Sequence, residues 1–325
     1  MEKARDICPL LNHFMVINIA AVEGKCEDAY AYSFGDTYGM LGVFDGCGGL
    51  GARKYDSYHK HTGAYIASRI AGRVALDWFE GDLPCDQTGM YSHESCIAES
   101  LKEKLDNALN TTKGHLDTSA RSGGGTMVKN LPTTASIAVM DWSNYERVRC
   151  LFMWAGDSRG FILSPKGMMQ CTKDDLRIDG DAFDNLYSDS PLSNVVSADG
   201  DYHINTFRYP AKAPAIVISA TDGTFGYWPS PMHYEWMFVN SLMRAGSFEE
   251  WEELIKAETA SVAADDATMV MAIFGWSSFE ELRASFAARH EYLKNGLENA
   301  HTEEELRIFW DEYRRTYYRE DSAAM

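Results

Sequence analysis

The chain has 325 residues, 45% of them hydrophobic and 24% charged, and its 30 Lys plus Arg against 48 Asp plus Glu leave a formal net charge of -18. This is globular composition, long enough for one large domain or two smaller ones, and it excludes collagenous and disordered classes. So acidic a surface repels nucleic-acid phosphates and anionic lipid headgroups, and neither nucleic acid nor membrane is expected as a partner. No apolar run reaches the roughly 18 residues of a bilayer span. The first residues mix Glu2, Lys3, Arg5 and Asp6 where a signal peptide would be basic and then apolar. Seven cysteines (Cys8, Cys26, Cys47, Cys85, Cys96, Cys150, Cys171) are odd in number and form no C-x-x-C. That spacing argues against zinc ribbons and disulfide frameworks and for a reduced, cytoplasmic protein.

In chain order, Phe14 to Ala21, Ala29 to Phe34 and Tyr38 to Phe44 are β-rich runs between turn signals and are expected as strands. From about Lys60 to Phe79 the period changes, with Ile66, Ile70, Val74 and Trp78 four apart, and Ile97, Leu101, Leu105 and Leu109 repeat that spacing. Two amphipathic helices are expected there. After a Gly-rich connector, Arg121 to Thr126, strands return at Thr134 to Met140, Val148 to Ala155, Gly160 to Leu163, Ala215 to Ala220 and Ala267 to Phe274. Strand blocks segregated from helix blocks predict an α+β fold with antiparallel sheets. Residues 173–208 are polar, with eight aspartates between Lys173 and His203, and are expected to form a surface flap. The C-terminal part, 277–325, is expected as a helical extension: Ser278 with Glu281 and Thr302 with Glu305 have capping-box spacing. Its apolar stripes are Phe279, Leu282, Phe286, Leu293 and Leu297, then Leu306, Phe309, Trp310, Tyr313 and Tyr317. Amphipathic stripes mostly bury in their own core, so packing on the main domain is favoured over a partner-binding role for these helices.

The chemistry is concentrated where apolar runs meet aspartate: GMLGVFD ends at Asp45, CLFMWAGD at Asp157, AIVISATD at Asp222, and Asp265-Asp266 precede ATMVMAIF. An Asp-Gly pair alone is an ordinary turn signal, as at Asp179-Gly180 or Asp199-Gly200 in the polar stretch. Four carboxylates at strand ends form a different pattern, because buried strands bring their ends together and converging carboxylates repel unless cations neutralise them. All-oxygen donors without His or Cys at ligand spacing point to Mg or Mn rather than zinc.

Glu27-Asp28, VFDGCGG (Val43 to Gly49), WAGDSRGFIL (Trp154 to Leu163), ATDG (Ala220 to Gly223) and DDATMVMAIF (Asp265 to Phe274) occur in this order. Over about residues 14–274 the chain thereby resembles the metal-dependent serine/threonine protein phosphatases, the protein phosphatase 2C family, and is closer to its bacterial branch. The resemblance implies a β-sandwich of two antiparallel sheets flanked by helix pairs, a catalytic domain over 1–276, and two Mg or Mn ions. In the implied site Asp45 bridges both metals, the Gly46 carbonyl completes one, Asp222 and Asp265 hold the other, and Glu27 or Asp28 contacts the first. Asp157 with Asp222 would bind a third ion. The implied activity is hydrolysis of phosphoserine or phosphothreonine monoesters of a phosphoprotein or phosphopeptide by a metal-bridging hydroxide, a role in cytoplasmic signalling.

Three positions depart from the pattern. Cys47 stands where eukaryotic members carry a His after Asp-Gly, leaving water or a side chain such as His59 or His61, expected on a helix surface, to protonate the leaving group. Glu23 occupies the usual place of a phosphate-binding Arg, with Lys25 the nearest cation, and Pro132-Thr133-Thr134 replaces Gly-Ser/Thr-Thr. Two other readings are open. Cys47 and Arg53 satisfy C-x5-R, the spacing of a cysteine-dependent phosphatase, and the missing Arg fits a catalytically silent sensor or scaffold on the same fold. The run SGGGT (Ser122 to Thr126) lacks a P-loop Lys-Ser/Thr and is expected as a connector.

Overall fold

The computed structural model describes residues 10–83, 93–116, 129–143, 147–178, 180–187 and 190–318; the Gly-rich connector expected at 121–126 and the SGGGT run lie outside them. Strands β1 (Leu11–Ile19), β2 (Ala29–Phe34), β3 (Tyr38–Phe44), β6 (Ala135–Asp141), β7 (Arg147–Ala155) and β8 (Arg159–Ser164) fall on the expected apolar runs, with β1 displaced toward the N-terminus. So do β11 (Ala215–Ala220) and β12 (Ala267–Phe274). Two more strands, β9 (Gly167–Gln170) and β10 (Asn205–Lys212), have no such run. The β10 strand pairs along the edge strand position beside β7, so the polar stretch expected as flap to 208 ends in sheet.

Two five-stranded antiparallel sheets result, ordered β1-β12-β11-β8-β9 and β10-β7-β6-β3-β2. They face each other across a core that includes Leu41, Val43, Ala138, Met140, Phe152, Val217, Val270, Ala272 and Phe274. The alternate residues of the same strands point outward into helices. Ile137, Val139 and Met153 pack with α1 (Gly63–Gly81) and α2 (Glu94–His115). Met269, Met271 and Ile273 pack with α4 (Pro231–Arg244) and α5 (Phe248–Val262), which follow the single-turn α3 (Asp222–Phe225). Burial on both faces explains why the central strands are continuous apolar runs instead of alternating ones. The α4 and α5 pair is the second flanking helix pair that the resemblance implies, but its place in the chain was not read from the sequence, although Ser230 and Ser247 cap these helices by accepting from the His233 and Glu250 amides.

The C-terminal extension forms α6 (Phe279–Ser285), α7 (Ala287–Glu298) and α8 (Glu303–Tyr317). Both apolar stripes turn inward: Leu282, Phe286, Leu293, Trp310, Tyr313 and Tyr317 belong to the same core as α4 and the outer face of β12. The capping box predicted at Thr302 and Glu305 is formed. At Ser278 only half of one forms, because Glu281 accepts instead from the Ser277 amide at 2.7 Å. Buried Glu235 on α4 receives a bidentate pair of hydrogen bonds from Arg289 on α7, both 2.7 Å, and another from the Tyr313 hydroxyl on α8. The extension thus shares its interior with the sandwich.

Candidate active site

Each carboxylate singled out in the sequence sits at the same end of the sandwich. Asp45 follows β3, Asp157 follows β7, Asp222 opens α3 after β11, Asp265 precedes β12, and Glu27 with Asp28 precede β2. The antiparallel registers enforce this, pairing Ala29 with Phe44, Ser136 with Val43 and Ala220 with Met269. A cleft of about 910 Å³ opens there, lined by Glu27, Asp45, Gly46, Asp157, Asp222 and Asp265 together with Cys47, Lys129 and Arg177. Asp28 is not on its lining; at 2% exposure it lies buried next to the cluster.

The backbone around these residues is held tightly. The Asp45 carbonyl accepts from Thr133 Oγ1 at 2.7 Å and from the Thr134 amide at 2.8 Å, and the Asp45 amide donates to Thr134 Oγ1 at 3.2 Å. Thr133 and Thr134, in the stretch that departs from the family pattern, therefore fix the Asp45 strand end. Gly46 admits no side chain: a Cβ would stand 2.7 Å from the Ala64 carbonyl oxygen and 2.8 Å from that of Glu27. Glu27 is held from α1, its carboxylate accepting from Thr62 Oγ1 and its carbonyl from Arg69 at 3.0 Å. Asp266 also lines the cleft, and its carboxylate accepts from the Ala21 and Glu27 amides at 2.8 and 2.7 Å, which staples that loop to β12.

Electrostatically the cluster is unneutralised. Burial pushes the Asp45 and Asp157 carboxyls well above the usual range, and neighbouring carboxylates, Asp28 and Asp222 for Asp45 and Asp222 for Asp157, push them further. Asp222 is raised to about 6, by burial and then by Asp265, and Asp28 to about 7, chiefly by burial. Asp28 Oδ2 accepts from Thr221 Oγ1 at 2.8 Å, while its Oδ1, buried, has no hydrogen-bond partner among the described residues. An orphaned buried carboxylate oxygen beside three other desolvated carboxylates is the donor chemistry of hard divalent cations, and the residues present fit such ions. Among the described residues no three His, Cys, Asp or Glu side chains form a ready-made cage. Mg and Mn sites of one or two carboxylates completed by carbonyl and water need none.

Other sequence expectations turn out differently. Lys25 is exposed in a turn, its amide donating to the Val22 carbonyl at 2.9 Å, and does not line the cleft. The cations that do are Lys129 and Arg177, both in loops without apolar period, where nothing in the sequence marks them. Lys129 Nζ is paired with Asp201 at 2.8 Å. Cys47 lines the cleft, but burial and then the charges of Asp45, Asp157 and Asp222 push its thiol well up, opposite to what a nucleophilic thiolate requires. Arg53 is not on the lining; its guanidinium lies 5.1 Å from the Tyr55 ring centroid. The structure thus does not build the Cys47–Arg53 thiolate site. His59 and His61 belong to a small hairpin of β4 (Lys54–Tyr55) and β5 (His61–Thr62), not to a helix surface, and His61 stacks on Tyr65 at 3.8 Å. Neither lines the cleft.

No family model matches the sequence, and no curated protein does. Solved structures do match, and they define the class of fold. A bacterial serine phosphatase superposes with TM-score 0.60 at 15% identity, covering 82% of this chain and 99% of its own. Serine/threonine phosphatase Stp1 from Staphylococcus aureus matches with TM-score 0.59 at 15% identity over 81% of this chain and 95% of Stp1. The catalytic domain of serine/threonine protein phosphatase PstP, solved with two manganese ions, matches with TM-score 0.53 at 14% identity over 82% and 99%. The chain has the α+β sandwich fold of bacterial serine/threonine phosphatases, with C-terminal helices present.

Proposed function

We propose that the protein is a Mg- or Mn-dependent phosphatase that hydrolyses phosphoserine and phosphothreonine monoesters. The observation that carries this reading is the convergence of half-buried, mutually repelling Asp45, Asp157 and Asp222 at one cleft with Glu27 and Asp265. In this reading Asp45, with the Gly46 carbonyl and Glu27 or Asp28, would hold one ion, Asp222 and Asp265 with Asp45 would hold the second, and Asp157 with Asp222 would hold a third. When bound, the cations would supply Lewis acidity and an activated water for in-line displacement. The chain's own residues do the rest. Thr133 and Thr134 fix the Asp45 backbone, Thr221 orients Asp28, and Asp266 anchors the Glu27 amide.

Substrate phosphate is gripped by Arg177 in place of Lys25, because Arg177 lines the cleft while the other cation there, Lys129, is already paired with Asp201. No histidine lines the described cleft, so the leaving alkoxide takes its proton from water.

Hydrolysis of a phosphothreonine peptide by purified protein with Mn, with Mg and with EDTA is the test. Turnover that needs the metal and disappears in Asp222→Asn is expected. Turnover that persists in EDTA would overturn the reading, and none from folded, Mn-loaded protein would leave a silent binding module.

A further inference from the structure

The polar stretch that borders the cleft contains two paired segments, 175–177 and 191–193. The Arg177 amide donates to the Pro191 carbonyl at 3.0 Å, the Ser193 amide to the Asp175 carbonyl at 2.8 Å, and Leu176 bridges Leu192. Arg177 and residues 190–193 line the cleft. The base of this pair is riveted to the sandwich by buried Asp174, which receives two hydrogen bonds from Arg159 at 2.9 and 2.6 Å. Its far end, residues 181–184, never touches the sheets through a ladder bond. It is clasped by α8.

Asp181 is the centre of that clasp. Its Oδ1 accepts from the Phe183 and Asp184 amides at 3.0 and 2.9 Å, which shapes the single 3-10 turn Asp184–Leu186. Its Oδ2 accepts from Trp310 Nε1 at 2.8 Å and from Arg314 at 3.1 Å, which ties that turn to α8. Phe183, fully buried, packs against Trp310 with ring centroids 6.2 Å apart. Arg307 lies over the Phe183 ring and pairs with Asp184 at 2.9 Å, and the Ala182 amide donates to the Tyr318 hydroxyl at 2.5 Å. The α8 helix and its C-cap Tyr318 therefore contact four successive residues through backbone, ring and charge.

We infer that α8 is a positioning brace for the cleft: by clasping residues 181–184 it fixes the paired segments that carry Arg177 and the 190–193 edge to the cleft rim. The kinetic part of this inference rests on the proposed phosphatase reading; the mechanical part does not. Trp310, Arg307 and Arg314 touch neither the carboxylate cluster nor the cleft lining, so they act only through what they hold.

Two variants test it: Trp310→Phe, which keeps an aromatic ring of smaller size and deletes the indole N–H, and the surface double variant Arg307→Ala/Arg314→Ala, whose side chains are 45% and 46% exposed and whose loss leaves the core intact. With saturating Mn, both are expected to raise KM for a phosphothreonine peptide about fivefold while kcat stays within about twofold. Hydrogen exchange at the Arg177, Phe183 and Asp184 amides is expected to accelerate, with Mn affinity by calorimetry unchanged. The KM effect should vanish in an Arg177→Ala background, and Arg307→Lys/Arg314→Lys should recover part of it. Unchanged exchange at Arg177, or KM effects that add fully to Arg177→Ala, would overturn the brace. Faster exchange in a protein without turnover would support the brace and defeat the phosphatase reading, so the two failures are distinguishable.

Discussion

Two sets of desolvated carboxylates in this molecule have opposite fates. Asp174 faces Arg159, each 4% exposed, and Glu235 faces Arg289, with the Tyr313 hydroxyl filling the pair's remaining acceptor. Asp28, equally buried, and Asp45, Asp157 and Asp222, half-buried at the cleft, have other carboxylates among their charged neighbours. Arg159, close enough to lower Asp157 and Asp222 somewhat, spends its hydrogen bonds on Asp174. Burying an ion without a partner costs several kcal/mol, so the chain neutralises its carboxylates wherever they serve packing. It leaves them bare at one cleft, where a cation from solution can complete them.

The comparison breaks most visibly at Asp222. Asp222→Asn is expected to lower Mn-dependent turnover about a thousandfold, or about 4 kcal/mol, while raising Tm in EDTA, because it removes a repelling charge. Differential scanning fluorimetry beside the peptide assay checks both signs. At the paired set the sign reverses: Glu235→Leu strands Arg289 in the interior and is expected to cost about 3 kcal/mol of stability, read by urea unfolding, with kcat of the remaining folded protein unchanged.

A smaller effect sharpens the contrast by pH. Folded-state values of about 7 for Asp28 and about 6 for Asp222 lie above the ordinary 3.8 of the unfolded chain. Their stabilising contribution is complete below pH ~4 and is lost as pH rises through ~6 and ~7. Carboxyls held below the usual range, such as Asp181 and Asp199, stay ionised across that window and do not mask it. In EDTA, Tm should therefore be several degrees lower at pH 8 than at pH 5.5, and saturating Mn at pH 8 should restore it. An unchanged Tm across that range would mean that the cluster is neutralised within the chain. The smallest effect is at Cys47→Ser, where kcat should change less than about twofold; a folded but inactive variant would revive the thiolate that burial argues against.

Much of this was legible before any coordinates. A strand buried on both faces is a continuous apolar run, so its end is marked by the first charged residue, and four such ends carried Asp45, Asp157, Asp222 and Asp265. The stripes of α6 to α8 were legible for the same reason, since 3.6-residue periodicity records which face is buried. Arg177 and Lys129 were not, because loops without period carry no record of which way they face. Lys25 was chosen as the cation nearest in sequence to Glu23, where the family pattern places an Arg, yet the turn after Val22 leaves it exposed outside the cleft. The clasp between Trp310 and Asp181 joins residues 129 positions apart and leaves no local pattern at either end. The α4 and α5 helices did leave one, in Ser230-Pro231 and in Ser247 with Glu250, and capping signals would have found them.

The central claim, that the bare carboxylates are a divalent-cation site, is tested most directly by calorimetric titration of Mn into metal-free protein at pH 7.5, beside Asp222→Asn. Saturable binding of at least two ions per chain in the native protein, with at least one lost in the variant, is the predicted result. Absence of binding to folded protein, or binding identical in Asp222→Asn, would contradict it.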